Sequence, residues 1–449
     1  MTLWQIWWLA LAIKTILLPI IPITPDEAYY FAWSRHLALS YFDHPPFISW
    51  IMTVAQPLWK TAVGIRWPGV ILIHLGYIPW IFMLRRLGFS ERAQIFWMIS
   101  LLLGPLTGLG GFVITPDVPL TFFWSLGMLA LLWIFDKPTV SRWLLLGVIV
   151  GLGMLSKYVM VLFVPCMLAW MFWDNKAHEL KKPGIWLAGI VSIITFSPVL
   201  IWNYQNDFAS FLFQAKHGLE STAIQWKMPV EYLSTQFAMI NPLLFFVAYS
   251  SLRKRWDKQK LLFVFAIIPF AFFFMTSFRA RVEANWPVCG YPSLLAFYAM
   301  VFDYTAERER WTKWVKMSLG IAGVFCILII THTVHPWLPI RKDKDHTEIT
   351  REWTPDIQAV KNLRPLYTRS YQMAAFHSYY RPAEDEAFKI KGIDRLDVYD
   401  FLPESLPSQK GYVILKADDK LPEIIEKNYT LQNPTLLPSN LVVFEIIPK

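Results

Sequence analysis

Apolar stretches recur along the first three quarters of the chain, many of them near the ~18–22 residues that carry a helix across a bilayer. They fall at residues 3–22, 67–84, 93–113, 118–135, 143–155, 158–173, 184–202, 228–250, 261–277, 286–302 and 314–331. In hydrocarbon each backbone N–H and C=O must find its partner inside the protein, and a helix supplies one within the segment itself. The expectation is a mainly α, polytopic membrane protein with a bundle of about eleven transmembrane helices. Composition agrees. Of 449 residues, 55% are hydrophobic and only 17% charged, too few polar groups to cover a soluble chain of this length.

The first stretch lacks the basic flank and the small-residue cleavage site of a signal peptide, so it reads as a retained helix. Lys14 lies inside it and either snorkels to an interface or faces the protein interior. Cys166, Cys289 and Cys326 all fall in apolar stretches with no paired spacing, which reads as three buried small hydrophobes.

Basic residues decide the orientation, because Lys and Arg accumulate in cytoplasmic loops. Loops on one side carry seventeen, including Arg85, Arg86, Lys181, Lys182, Arg253 and Lys316, against eight on the other. The N-terminus is then inside, and the loop after the first helix is outside. Residues 143–173 are short for two crossings, yet both flanks are basic; a hairpin with "LSKY" at its tip fits better than one long helix. "HPPFISWIMTVAQPLW", residues 44–59, is too short to span and reads as interfacial.

Past residue 332 the character changes. The runs "GYVILKA" and "NLVVFEIIP" look like strands, and "SYQMAAFHSYY" like a helix. From 341 onward basic and acidic residues nearly balance, so the net charge of +9 belongs to the apolar part. The expected organisation is a transmembrane domain over 1–332 and a small soluble α/β domain over 333–449, on the outer side. No nucleic-acid-binding patch is visible.

Four polar clusters stand at outer helix ends. The first joins Asp26, Glu27, Asp43 and His44. The second, "ITPDVPL", holds Asp117, and the third, "LSKY", holds Lys157. The fourth, "FRARVEANWP", holds Arg279, Arg281, Glu283 and Asn285. Carboxylates can deprotonate a hydroxyl or ligate a hard cation, while Lys and Arg can hold a phosphate. Beside an apolar bundle, such a set suggests transfer from a lipid-linked phosphate donor. Tyr29, Tyr30, Trp33 and Trp286 read first as interfacial belt residues and second as platforms for a sugar. His44 has no helix-spaced zinc partner.

"TPDEAYY…LSYFDHPP" resembles the first outer loop of bacterial GT-C glycosyltransferases of the protein-mannosyltransferase/ArnT-like superfamily, and "TPDVPL", "GLGMLSKY", "PVLIWNYQNDFASF" and "VEANWP" resemble its later stretches in order. The likeness covers residues 20–300 well and the tail loosely. It implies a GT-C type bundle and a transferase that moves a sugar from a polyprenyl (undecaprenyl) phosphate to an envelope acceptor (lipid A, a glycan or a protein hydroxyl), with inversion. It also implies a bacterial inner-membrane location with the site and C-terminal domain on the periplasmic side. Asp26 would be the base or its close partner, and Glu27 completes the acidic motif. Lys157 would meet the donor phosphate with Arg279 and Arg281. Tyr30, Asp43, His44 and Asp117 would shape the pocket. Asp43-His44 stands where the aminoarabinose transferases carry Glu-Lys, a departure that bears on donor choice. A divalent metal ion is left open as a cofactor. The rival reading is a polyprenyl-lipid flippase or transporter, against which stand the lack of an internal repeat and the gathering of charge at one end.

Overall fold

The computed structural model describes all residues except 56–61, 109–111, 218–223, 241–258, 304, 342–344, 346, 348–350, 352, 404–405 and 417–419. Those excepted hold the end of the expected 228–250 helix, part of the 44–59 segment and most of the basic cluster near 253. The chain divides into two compact units, Met1–Ile20 with His44–Thr331, and Ile21–Asp43 with His332–Lys449. The expected cut at 332/333 therefore meets a chain that enters the second unit twice.

The first unit is helical. Its principal elements are α1 (Leu3–Leu17), and, after α2 (Pro25–Arg35) of the second unit, α3 (Phe47–Val54), α4 (Ala62–Arg86), α5 (Glu91–Leu102), α6 (Asp117–Asp136), α7 (Val140–Ser156), α8 (Phe163–Trp173) and α9 (Pro183–Gln205). Further helices cover Lys227–Ile240, Lys260–Thr276, Tyr291–Ala299 and Thr305–Val334. Each of the eleven expected stretches thus holds helix in its described residues. Among the described residues four helices are long and apolar enough to cross a membrane: Val63–Arg86, Asp117–Asp136, Pro183–Gln205 and Thr312–Val334. Five more are apolar but shorter, among them Leu3–Leu17 and Tyr158–Trp173. Length and composition alone therefore do not reach the expected count.

Large side chains fill the centre of this unit. Trp80, Trp97, Trp124, Trp143 and Phe163 are almost completely buried and belong to one continuous apolar core. Lys14 is buried too, its ammonium 5.7 Å from the centre of the Phe112 ring, so of the two expectations for it the interior one holds. Helices α7 and α9 approach each other closely. A Cβ on Gly147 would stand 2.4 Å from the Ala188 carbonyl oxygen, and one on Gly151 would stand 2.5 Å from Thr195 Cβ. Glycines four apart leave one bare stripe on a helix, which lets two backbones meet. At the end of α7 Lys157 is extended, with φ −158° and ψ 140°, and a 3₁₀ turn over Tyr158–Leu162 leads into α8. Residues 143–173 are therefore two segments and not one long helix.

The second unit carries a five-stranded sheet of order β2-β1-β3-β5-β4: β1 (Leu366–Thr368), β2 (Ala387–Lys389), β3 (Gly411–Lys416), β4 (Tyr429–Leu436) and β5 (Leu441–Pro448). β2, β1 and β3 run parallel; β5 lies antiparallel to β3 and β4. Alternation sorts the strands' side chains between two cores, with Leu366, Ile414 and Val443 in one and Tyr367, Val413 and Ile446 in the other. The expected strand runs become β3 and β5. The aromatic run forms the helix Tyr371–Tyr379, which connects β1 to β2.

The first-loop helix α2 packs on Tyr371–Tyr379, with Phe31 edge-on to Tyr379 at 5.5 Å and Tyr29 at 4.5 Å from Tyr371. Arg35 pairs with Glu386 at 3.0 Å, both largely shielded from solvent. Burial of these rings ties residues 21–43 to the tail.

Gly151→Leu should force α7 off α9 and lower stability by ~1–3 kcal/mol, since an overfilled contact must shift backbone. Gly189→Ala, on α9 with open space at its Cβ, should be tolerated. Thermal unfolding of the two purified proteins in detergent checks the contrast; equal loss in both would refute the close approach.

Candidate functional site

Two polar clusters contain the residues singled out from the sequence, one in each unit. In the first unit Asp117 is the first residue of α6, where the unpaired N–H groups of a helix start favour negative charge. Its two carboxylate oxygens are shared: Lys157 Nζ donates to Oδ1 at 2.6 Å and Asn285 Nδ2 donates to Oδ2 at 2.7 Å. Lys157 reaches it because α7 ends one residue earlier, turning the side chain out of the helix. Lys157 and Asp117 are both buried. Buried charges of this kind need each other, because an ion taken from water without a partner costs several kcal/mol. Beside Asp117 lies a cavity of about 150 Å³, mostly apolar, into which Tyr77, Thr115, Thr121 and Asn285 bring polar atoms. An ammonium has three N–H groups, so Lys157 can hold Asp117 with one and offer another to an anion.

Arg279 and Arg281 are exposed, and Arg281 pairs with Glu283 at 3.2 Å. From the fourth cluster it is Asn285 that joins Asp117 and Lys157. His44 is half-buried at the entry to α3.

The second unit gathers the rest. Thr24, Pro25 and Glu27 start α2 as a capping box. Glu27 N–H donates to Thr24 Oγ1 at 3.2 Å, and Glu27 Oε2 accepts from the Thr24 N–H at 3.1 Å. Glu27 is fully buried and holds the helix start. The spacing Thr-x-x-Glu was the sequence signal for this, with proline at the first helical position as its companion. Asp26, one residue earlier, keeps its side chain open to solvent.

Asp43 sits at the far end of the same loop and is buried. Tyr29 Oη donates to its Oδ2 at 2.6 Å, and Arg395 Nη1 donates to its Oδ1 at 2.6 Å. The Arg395 guanidinium lies 4.5 Å from the centre of the Tyr371 ring, and the Val398 N–H donates to Tyr29 Oη at 3.0 Å. Close by, Lys389 bridges Asp397 at 2.6 Å and Asp400 at 3.0 Å. Nothing local in the sequence marks Arg395, which stands 352 residues from Asp43.

These contacts shape the ionisation of the cluster. Protein crowding raises the Asp26 pKa; a hydrogen bond with Gln372 opposes this, Glu27 adds to it, Arg395 opposes it and Asp43 adds to it. Burial raises Asp397 to about 6, against the pull of Lys389. For Arg395 burial favours the neutral form, but Asp43 and Tyr371 outweigh it and keep the cation. Trp33 is buried and stacked on Tyr41 at 4.4 Å, so it is neither belt nor sugar platform. Tyr30, half-buried, meets Trp33 edge-on at 5.0 Å. Among the described residues no group of three or more His, Cys, Asp and Glu side chains converges to hold a metal ion.

Comparison with known proteins follows the same lines. Residues 43–202 match the family described as dolichyl-phosphate-mannose-protein mannosyltransferase. A lipid A galacturonosyltransferase, RgtD of Rhizobium johnstonii, is 24% identical over 69% of this chain and 66% of its own length. An undecaprenyl phosphate-alpha-4-amino-4-deoxy-L-arabinose arabinosyl transferase of Pseudomonas fluorescens is 26% identical over 86% of this chain and 70% of its own. The chain thus spans about two thirds of the curated relatives named here. In fold it matches crystal structures of ArnT from Cupriavidus metallidurans, apo and bound to undecaprenyl phosphate. Their TM-scores are 0.75 and 0.74, at 15% identity over 98% of this chain and 97% of theirs.

Asp117→Asn should leave the Lys157 ammonium buried and unpaired, lowering stability by ~3–5 kcal/mol. Asp117→Asn combined with Lys157→Met should recover most of the loss. Denaturation of the single and double variants decides it; additive losses would show that the two groups are not coupled.

Proposed function

We propose, from the premise that this chain belongs to the GT-C glycosyltransferase superfamily, that it is an inverting membrane transferase that moves a sugar from undecaprenyl phosphate to an envelope lipid of the lipid A kind. The relatives' named substrates support the donor and acceptor classes. In this reading the bundle crosses the bacterial inner membrane about eleven times, because helices shorter than the hydrocarbon core are accommodated by local thinning of the bilayer. The N-terminus is cytoplasmic, residues 1–20 and 44–331 form the membrane domain, and residues 21–43 with 332–449 form a periplasmic domain that contributes to acceptor choice.

The observation that carries the chemistry is the sorting of the three first-loop acids. Glu27 caps α2 and Asp43 is held by Tyr29 and Arg395, while Asp26 keeps an open face. Asp26 therefore serves as the base. It takes the proton of the acceptor hydroxyl as that oxygen bonds to the anomeric carbon. The carbon–oxygen bond to phosphate breaks on the opposite face, which inverts the centre, and the electron pair leaves with the lipid phosphate. Lys157, still paired with Asp117, is the group proposed to receive the phosphate charge, and Asn285 holds Asp117 in place. Tyr30 and His44 line the approach of substrate. Arg279 and Arg281 add positive potential that draws the anionic donor.

Asp26→Asn should lower transfer ~100-fold or more, the usual worth of a positioned base. The assay is sugar release from radiolabelled undecaprenyl-phosphate sugar by the purified protein, with lipid A as acceptor. Wild-type rates in the variant would sink the assignment. Labelled lipid moved across vesicles with no sugar transferred would favour a flippase. The rate should fall on acidification, with a midpoint above that of an ordinary aspartate, since crowding raises Asp26 and a protonated base cannot act.

A further inference from the structure

We propose that Arg395, from the tail of the chain, is a positioning residue for the transfer reaction: paired with Asp43 and seated on Tyr371, it fixes the first loop and supplies the positive charge that keeps Asp26 a working base. The proposal rests on the reading of Asp26 as base.

The geometry comes from within one unit. Residues 21–43 pack with the tail, so the loop bearing Asp26 and Asp43 and the segment bearing Arg395 share one compact body. Arg395 Nη1 is 2.6 Å from Asp43 Oδ1, and the same carboxylate accepts from Tyr29 at 2.6 Å. Tyr29 lies on α2, three residues after Asp26, so that contact sets the helix that presents the base. Tyr371 holds the guanidinium from its flat side, a contact that arginine makes and lysine matches poorly.

The charges around Asp26 make the arrangement necessary. Glu27 on its own helix and Asp43 at the other end of the loop are both carboxylates and both oppose its ionisation. Gln372, a hydrogen-bond partner, and Arg395 favour it. Tyr29 and Tyr371 also face the cluster, Asp397 acts on Tyr29 and is itself paired with Lys389, and Arg395 is the cation that acts on Asp26 directly. Three carboxylates in one cluster cannot all stay charged without such a cation, and the energy at stake grows as water is excluded. Arg395 meets both demands: it pairs with Asp43 and leaves Asp26 facing less net negative charge. It has no part in bond making, so it positions and does not catalyse.

Two substitutions should have opposite signs. Arg395→Gln removes the cation and leaves Asp43 as an uncompensated neighbour, so Asp26 binds its proton more tightly. The acidic limb of the kcat/KM profile should move to higher pH, with a several-fold loss relative to the unsubstituted protein at one pH on that limb. Asp43→Asn removes a repelling carboxylate and leaves Arg395 in place, so the limb should move to lower pH. Arg395→Lys should restore most of the limb, because the charge returns without the stacking. A structural role alone would lower the rate without moving the limb, and would not move it in opposite directions. Unmoved limbs in both variants, with their thermal stability kept, overturn the proposal.

A second measurement does not depend on transfer. A carbodiimide labels protonated carboxyls, and mass spectrometry of the peptide holding Asp26 follows its labelling against pH. The half-labelling pH should rise in Arg395→Gln and fall in Asp43→Asn. If Asp26→Asn transfers sugar at the wild-type rate while these shifts appear, the base reading fails and the charge coupling stands. If Asp26→Asn is inactive and no shift appears in either readout, the base reading stands and the role of Arg395 fails. Should Arg395→Gln not fold, Asp43→Asn and Arg395→Lys still decide the sign.

Discussion

A carboxylate withdrawn from water stays charged only when donors surround it, and Asp43 meets that condition with one donor from each end of the sequence. Tyr29 lies 14 residues before it and Arg395 lies 352 residues after it. The contact therefore does two things. It stabilises a buried charge, and it staples the first loop to the tail. Around it the apolar pairs of α2 and Tyr371–Tyr379, and the Arg35–Glu386 bridge, make the second unit from two distant pieces of chain. The chemistry assigned to Asp26 depends on this staple, because a base on a free loop would have neither a fixed place nor a fixed pKa.

The first unit solves a similar problem differently. Lys157 is placed by a helix end, Asp117 by a helix start and Asn285 by a loop, and the three share one set of hydrogen bonds. The bare glycine stripe on α7 lets α9 come close enough to hold the helix that ends at Lys157. A long, flexible side chain is thereby put in one place by rigid backbone. Neither charge has water to turn to, so each depends on the other.

Much of the helical architecture was legible in the sequence, because bilayer thickness and backbone satisfaction leave few choices for apolar stretches of this length. The break at Lys157 was legible too, from basic flanks on both sides of residues 143–173. The two tail strands followed from alternation. Other features were present as signals and went unread. Thr24 and Glu27 stand at capping-box spacing, which marks Glu27 as part of the helix start. Trp33 and Tyr29 looked like interfacial residues, but periodicity could not show that Tyr29 would pack on Tyr371 and Trp33 on Tyr41.

What the sequence determined by itself is the class of molecule and the inventory of its chemistry: an apolar helical bundle, a small charged sheet domain, and acids and bases gathered at helix ends. Those follow from composition, periodicity and local spacing, which act over a few residues. Which acid is held and which stays open, and which cation answers them, was decided only by tertiary structure. Arg395 is one of sixteen basic residues from 341 onward, with no local mark to set it apart. Electrostatic pairing acts through space, over a few ångströms, and sequence distance carries no record of it.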